Sequence, residues 1–311
     1  MSALVRITDV APRDGLQNEP DMVPVAGKVG LVRRLAAAGV DEIEVSSFVS
    51  RKWIPQLGDA AEVFAALRDL AGAAPVLSAL VPNEQGMAAA LRVNERAGAA
   101  LLGKVAVFTA ASETFAQKNT NASIAETLER FEPVIRLAHG AGLLVRGYVS
   151  CAIACPFEGP ISPQQAARVG ARLLELGVDE LDLADTIGAG EPDSLEALLH
   201  AVLASTGAAA PPRVTLHLHD TRGQAAGCVR RALELGVRSF DGAAGGLGGC
   251  PYASTATSRA PGNLATETLV GAVEQAGLAT RVNREALRLA SELAQSLRGS
   301  GGGCGAGGKT V

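Results

Sequence analysis

Arg13 and Asp14 stand side by side in Asp9-Val-Ala-Pro12-Arg13-Asp14-Gly15-Leu-Gln17, and one residue separates His217 from His219 in His217-Leu-His219-Asp220. Residues i and i+2 of a strand point to the same face. Both imidazoles of the second motif can therefore chelate one metal ion, and the chain has only four histidines. Asp supplies the oxygen that a hard cation prefers. Arg supplies a planar fork of donors suited to carboxylate or enolate oxygens. An isolated Arg–Asp pair is more often a solvated ion pair, and a single strand histidine more often a hydrogen-bonded core residue. The histidine pair tips the reading towards a metal.

Glycines surround a cysteine in Gly245-Gly246-Leu247-Gly248-Gly249-Cys250-Pro251-Tyr252. Such a loop can bring backbone and thiol close to a ligand, with the cysteine as acid, base or nucleophile. The alternative is a flexible turn with an incidental thiol. Asn263 follows in Pro-Gly-Asn-Leu-Ala-Thr-Glu267, and its amide oxygen is a further candidate ligand. Glu44 in EIEVSSF and Asp185 in LDLADTIG are carboxylates at expected strand ends. Each could serve as a base or a supporting group. Asp185 could instead cap a helix, and Glu44 could orient Arg13 through an ion pair. The run from Gly303 to Thr310 formally satisfies GxxxxGK[ST], but a phosphate loop needs a strand before it and a helix after it, and the surrounding Gly-rich sequence offers neither. Cys151 and Cys155 lack the CxxC spacing and read as structural thiols.

These residues need elements to place them. Strand-like runs are Leu4–Asp9, Glu42–Ser46, Val76–Val81, Lys104–Phe108, Leu143–Val149, Glu180–Leu183, Val214–His219 and Arg238–Gly242. Helical patterns alternate with them at Lys28–Ala38, Ala60–Leu70, Ile124–Ala138, Pro163–Leu176, Ser194–Leu203 and Gln224–Leu235. Several end in a glycine that can take the left-handed conformation of a helix C-cap, as in the twice-used phrase LELGV. Alternating strands and helices imply a parallel sheet. Eight units fit a closed (β/α)8 TIM barrel. The barrel is favoured over an open doubly wound sheet because polar candidates recur at strand ends, where barrels carry their sites. Further helices are expected near Thr266–Gln275 and Asn283–Leu297. Residues 1–298 are thus read as one catalytic domain with C-terminal helices, and 299–311 as a flexible Gly-rich tail.

Composition narrows the function. The chain has 311 residues, 48% of them hydrophobic, enough for a large core. A net charge of −4 and 3% aromatics argue against nucleic-acid binding. No run reaches the ~18 apolar residues of a membrane span, and VRITDVA near the N-terminus shows no leader. Five scattered cysteines suit a reducing compartment rather than a disulfide framework. A cytoplasmic enzyme without a membrane partner is expected.

The chain resembles the 3-hydroxy-3-methylglutaryl-CoA lyases over nearly its whole length. The matching stretches are APRDGLQNE at 11–19, SSFVSRKWIPQLGD at 46–59, ASETF and QKN within 111–119, VRGYVSCAIACPFEG at 145–159, LHLHDTRGQA at 216–225, GLGGCPYA at 246–253 and GNLATE at 262–267. RDG-x-Q and H-x-HDT-x-G are shared with a wider set of metal-dependent barrel lyases and acyltransferases, whereas GLGGCPYA belongs to the lyase branch. The resemblance implies cleavage of 3-hydroxy-3-methylglutaryl-CoA to acetyl-CoA and acetoacetate. It implies Asp14, His217, His219 and Asn263 as ligands of a divalent cation, Mg2+ or Mn2+. Arg13 would stabilise the enolate, and Cys250 would be the catalytic acid/base. Asp185 and Glu44 would be further catalytic residues, with Gln17, Tyr148 and Glu267 supporting. Lys118, Asn119 and Ser123 match a loop near the CoA of the acyl-CoA thioester substrate. A homodimer is also implied. A longer 3-alkyl substrate, such as the isohexenyl thioester, and a Claisen-type acyl transfer are the alternatives. The segment ASTATSRAPGN before Asn263 is longer than the family's usual connection.

Overall fold

The computed structural model describes residues 4–206, 213–249 and 262–299. Eight short runs form the barrel strands: β1 (Arg6–Asp9), β2 (Glu42–Ser47), β3 (Val76–Leu80), β4 (Lys104–Ala110), β5 (Leu144–Ser150), β6 (Glu180–Asp185), β7 (Val214–Leu218) and β8 (Ser239–Gly242). All neighbours are parallel, and β8 pairs with β1 to close the sheet. Strands enclosed on both faces cannot show a polar solvent side, and every residue of β2, β6 and β7 is buried. This is the (β/α)8 barrel expected from the pattern.

Around the barrel run α1 (Val25–Ala38), α2 (Ala60–Ala66), α3 (Glu84–Ala97), α4 (Glu113–Thr120), α5 (Ile124–Gly140), α6 (Pro163–Leu176), α7 (Pro192–Thr206), α8 (Ala225–Glu234), α9 (Thr266–Gln275) and α10 (Arg284–Ser296). Helix α6 shows how sequence sets an element. Ser162 caps it by accepting the Gln165 N–H, Pro163 opens the first turn, and Gly177 ends it at φ 104°. Its buried face is Ala166, Ala167, Val169, Gly170 and Leu173. A Cβ on Gly170 would lie 2.8 Å from the Leu181 side chain, so valine there would push α6 off β6.

Three expectations need correction. The helix expected over Ala60–Leu70 breaks at Leu67 into a separate 3-10 turn, Arg68–Leu70. Helices α3 and α4 were not among the helical patterns. The alanine run and Gly86 blur the apolar period of α3, and Gly86 is needed because a Cβ would lie 2.8 Å from the Phe48 carbonyl oxygen. Finally, His219 leaves the ladder after Leu218 and forms an antiparallel bridge with Asn263.

The lower interior of the barrel is charged. Lys104 Nζ bridges Glu42 at 2.5 Å and Glu180 at 2.6 Å. Arg146 donates to Thr8, Glu42, Glu180 and Asp241 over 2.9–3.1 Å. Burying such groups is tolerated because nearly every charge has an opposite neighbour and a hydrogen bond.

Candidate active site

The chain leaves β1 into a tight π-helical turn, Ala11–Gly15, with Arg13 buried and Asp14 half-buried. Asp9, the last residue of β1, shapes this turn by accepting the Ala11 N–H at 2.9 Å. Its other oxygen accepts the Thr266 hydroxyl at 2.7 Å. Asp9 therefore clasps the Arg13–Asp14 turn to the segment that carries Asn263. Burial pushes its carboxyl up to about 7. Nothing in the local sequence marks Asp9, because its partner lies 257 positions away.

Arg13 Nε donates to Glu44 Oε2 at 2.5 Å, and its Nη1 donates to Asp14 Oδ1 at 2.6 Å. The guanidinium lies 5.8 Å from the centre of the Tyr148 ring. Burial works against a charge on Arg13, but Glu44 and Asp14 keep it protonated. Burial raises the Glu44 carboxyl, with Arg13 opposing. Burial would also raise Asp14, yet the opposing influences, Arg13 foremost, hold that carboxyl well below the usual carboxylate range. Glu44 is thus the ion-pair partner of Arg13.

Asp14, His217 and His219 each bring one ligand atom to a common point, all within 4.8 Å of one another. The two Nε2 atoms are 3.2 Å apart. Burial, and then His217 beside it, bring the His219 imidazole down to about 4, so it stays neutral and free to ligate. Asn263 joins beside His219, with which it forms the antiparallel bridge. Its Nδ2 donates to Asp14 Oδ2 at 2.8 Å and to the Leu247 carbonyl at 3.0 Å. Its Oδ1 is buried without a hydrogen-bond partner. Converging imidazoles, a neighbouring carboxylate and an orphaned amide oxygen fit a divalent cation held by Asp14, His217, His219 and Asn263.

The remaining candidates fall in different places. Tyr148 is buried, its hydroxyl 3.2 Å from Asp241 Oδ2, and its ring meets His217 edge-on at 6.1 Å. Glu267 accepts the Gly245 N–H through both oxygens, at 3.3 and 3.2 Å, and so pins the glycine loop. Asp185 lies opposite Leu218, whereas Ala184 lies opposite His217. Its oxygens accept the Ala189 and Gly190 N–H groups at 3.0 and 2.7 Å, in the turn before α7 begins at Pro192, so Asp185 is not the helix N-cap that its sequence allowed. Burial raises its carboxyl despite those amides. Gln17 is half-buried, three residues beyond Asp14. Lys118 lies 4.9 Å above the Phe157 ring, Asn119 donates to the Phe115 carbonyl at 3.2 Å, and Ser123 caps α5 in a capping box. Cys250 lies outside the described residues. A cavity of about 510 Å³ opens elsewhere, between α2 and α3, where Phe48, Phe64 and Arg92 are among its lining residues. Asp14, His217 and His219 take no part in that lining.

Fold and site together define a parallel (β/α)8 barrel with a carboxylate–imidazole cluster and a buried arginine at the C-terminal ends of its strands. The chain belongs to the HMGL-like family, whose model matches residues 4–294. It is 44% identical over 303 residues to the hydroxymethylglutaryl-CoA lyase of Pseudomonas mevalonii, covering 96% of this chain and 95% of that one. It is also 44% identical over 285 residues to the 3-hydroxy-3-isohexenylglutaryl-CoA/hydroxymethylglutaryl-CoA lyase of Pseudomonas aeruginosa, covering 91% and 89%. The crystal structure of the HMG-CoA lyase from Brucella melitensis superposes with a TM-score of 0.87 at 43% identity, covering 96% of this chain and 99% of that one. No helix among the described residues is long and apolar enough to cross a membrane.

Proposed function

We propose that the protein cleaves 3-hydroxy-3-methylglutaryl-CoA to acetyl-CoA and acetoacetate, using Mg2+ or Mn2+ held by Asp14, His217, His219 and Asn263. The observation that carries this reading is the convergence of those donors beside an arginine whose charge Glu44 and Asp14 maintain. Oxygen and imidazole donors without a thiolate suit these cations. When bound, the cation supplies Lewis acidity that lowers the pKa of a coordinated hydroxyl. Asp185 takes the 3-hydroxyl proton. Burial raises its carboxyl above the usual carboxylate range against the Gly190 and Ala189 amides, which favours proton uptake, whereas Glu44 is committed to Arg13. As the carbonyl forms at C3, the electrons of the C2–C3 bond pass to the thioester oxygen. Arg13 stabilises that oxygen, a role commonly worth ~3–4 kcal/mol. Cys250 delivers a proton to C2.

In this reading residues 1–298 form one catalytic unit, acting as a cytoplasmic homodimer. Lys118, Asn119 and Ser123 flank the CoA, and Gln17, Tyr148 and Glu267 support the site. The relative from Pseudomonas aeruginosa favours a second reading, in which longer 3-alkyl groups are also accepted. An assay of acetyl-CoA release from a panel of 3-alkyl-3-hydroxyglutaryl thioesters, with and without chelator, tests both. Chelator-sensitive release is expected. No release from any member of the panel would sink the proposal.

A further inference from the structure

We infer that Asp241 is the positioning residue that makes His217 a metal ligand, and that Tyr148 and Arg146 act by holding Asp241. The inference rests on the reading of Asp14, His217 and His219 as a metal centre.

Asp241 lies on β8, in register with His217 of β7 and Thr8 of β1. It is 2% exposed, and its Oδ2 is 3.3 Å from His217 Nδ1. An ionised carboxylate only accepts hydrogen bonds. It therefore places a proton on Nδ1, so that in the neutral ring the lone pair is on Nε2. That Nε2 is the atom directed into the cluster, 3.2 Å from its counterpart on His219. The two histidines differ in this respect. His219 Nδ1 is buried with no hydrogen-bond partner, so no carboxylate fixes its ring. His217 is the pre-oriented ligand of the pair.

Asp241 is held in turn. Arg146 Nη1 donates to its Oδ1 at 3.0 Å, and the Tyr148 hydroxyl donates to its Oδ2 at 3.2 Å. Arg146 is itself tied to Thr8, Glu42 and Glu180, so Asp241 is anchored to the rigid floor of the barrel. This gives Tyr148 a task distinct from touching substrate. Its hydroxyl is spent on Asp241, while its ring lies between Arg13 and Arg146. A chain of contacts thus runs from the charged floor to the imidazole.

The rival explanation is that Asp241 merely balances the charge of Arg146. Glu180 does that too, yet has no contact with His217, so Glu180→Gln is the control. The measurement is Mn2+ titration of metal-stripped protein by electron paramagnetic resonance, together with 15N spectra of the histidine rings. Asp241→Ala is expected to weaken Mn2+ binding by about 10–100-fold, as loss of a carboxylate behind a metal-bound histidine does. It should also lose the Nδ1-protonated tautomer seen in the metal-free parent. Asp241→Asn is expected to show a smaller loss, because its amide oxygen can still accept from Nδ1 while its charge is gone. Glu180→Gln should lower the melting temperature, keep the Nδ1-protonated tautomer and weaken Mn2+ binding far less than Asp241→Ala, because Thr8 and Glu42 still hold Arg146. A cooperatively folded Asp241→Ala that binds Mn2+ like the parent would overturn the inference alone. If Asp241→Ala does not fold, Mn2+ affinity in Asp241→Asn equal to the parent's would overturn it. A parent protein that binds no Mn2+ would remove the metal reading and this inference with it.

Discussion

Replacing Asp9 by asparagine isolates the cost of burying a carboxyl under the active-site turn. The side chain accepts the Ala11 N–H through one oxygen and the Thr266 hydroxyl through the other. Asparagine keeps the shape, with its oxygen towards Ala11 and its amide donating to the Thr266 hydroxyl oxygen. In the folded protein burial raises the Asp9 carboxyl from 3.8 to about 7. A raised acid pKa means that the folded state binds more protons than the unfolded chain between those values. Stability contributed by neutral Asp9 is then full below pH 3.8 and is lost as pH rises through about 7. Between pH 5 and pH 8 the parent should lose about 2.5 kcal/mol from this group, at 1.36 kcal/mol per pKa unit, and Asp9→Asn should not. The assay is urea denaturation of metal-stripped parent and variant at several pH values. The difference in unfolding free energy should swing by about that amount in favour of the variant as pH rises. Parallel curves across the window would refute the argument.

Three further outcomes are expected. His217→Ala should fold but fail to retain stoichiometric metal by mass spectrometry, and a fully metallated, active variant would refute its ligand role. Cys250→Ala should keep its metal and its melting temperature while turnover falls by about 10²-fold or more, and unchanged turnover would remove the cysteine from the mechanism. Arg13→Lys should lower kcat by about 10²–10³-fold, because an ammonium cannot meet Glu44, Asp14 and an enolate oxygen together. Steady-state kinetics close to those of the parent would count against enolate stabilisation.

The barrel was legible because enclosed parallel strands are written as short β-branched runs, and LELGV marks where helices stop. The histidine pair was legible because chemistry and period coincide at His217 and His219. What stayed hidden depends on closure. Glu42, Lys104, Arg146 and Glu180 look like the solvent face of half-exposed strands, and only the closed barrel turns that face inward. Asp241 gives no local sign of a partner on the neighbouring strand. The amides that Asp185 accepts come from Ala189 and Gly190, in a turn before α7 whose path the sequence did not define. The turn at Ala11–Gly15 read as a loop because Pro12 and Gly15 disguise its helical geometry.

The seam between β1 and β8 sets a timing on all of this. Asp14 and Asn263 stand 249 positions apart, and the seam brings them within one hydrogen bond. During synthesis at ~5–20 residues per second, Asp14 leaves the ribosome roughly 10–50 seconds before Asn263 exists. Under the proposed metal reading, the nascent chain passes through a long interval with half a metal site. Capture of a cation by the full ligand set would then signal that the cylinder has shut, and mass action would favour the shut form over every open one.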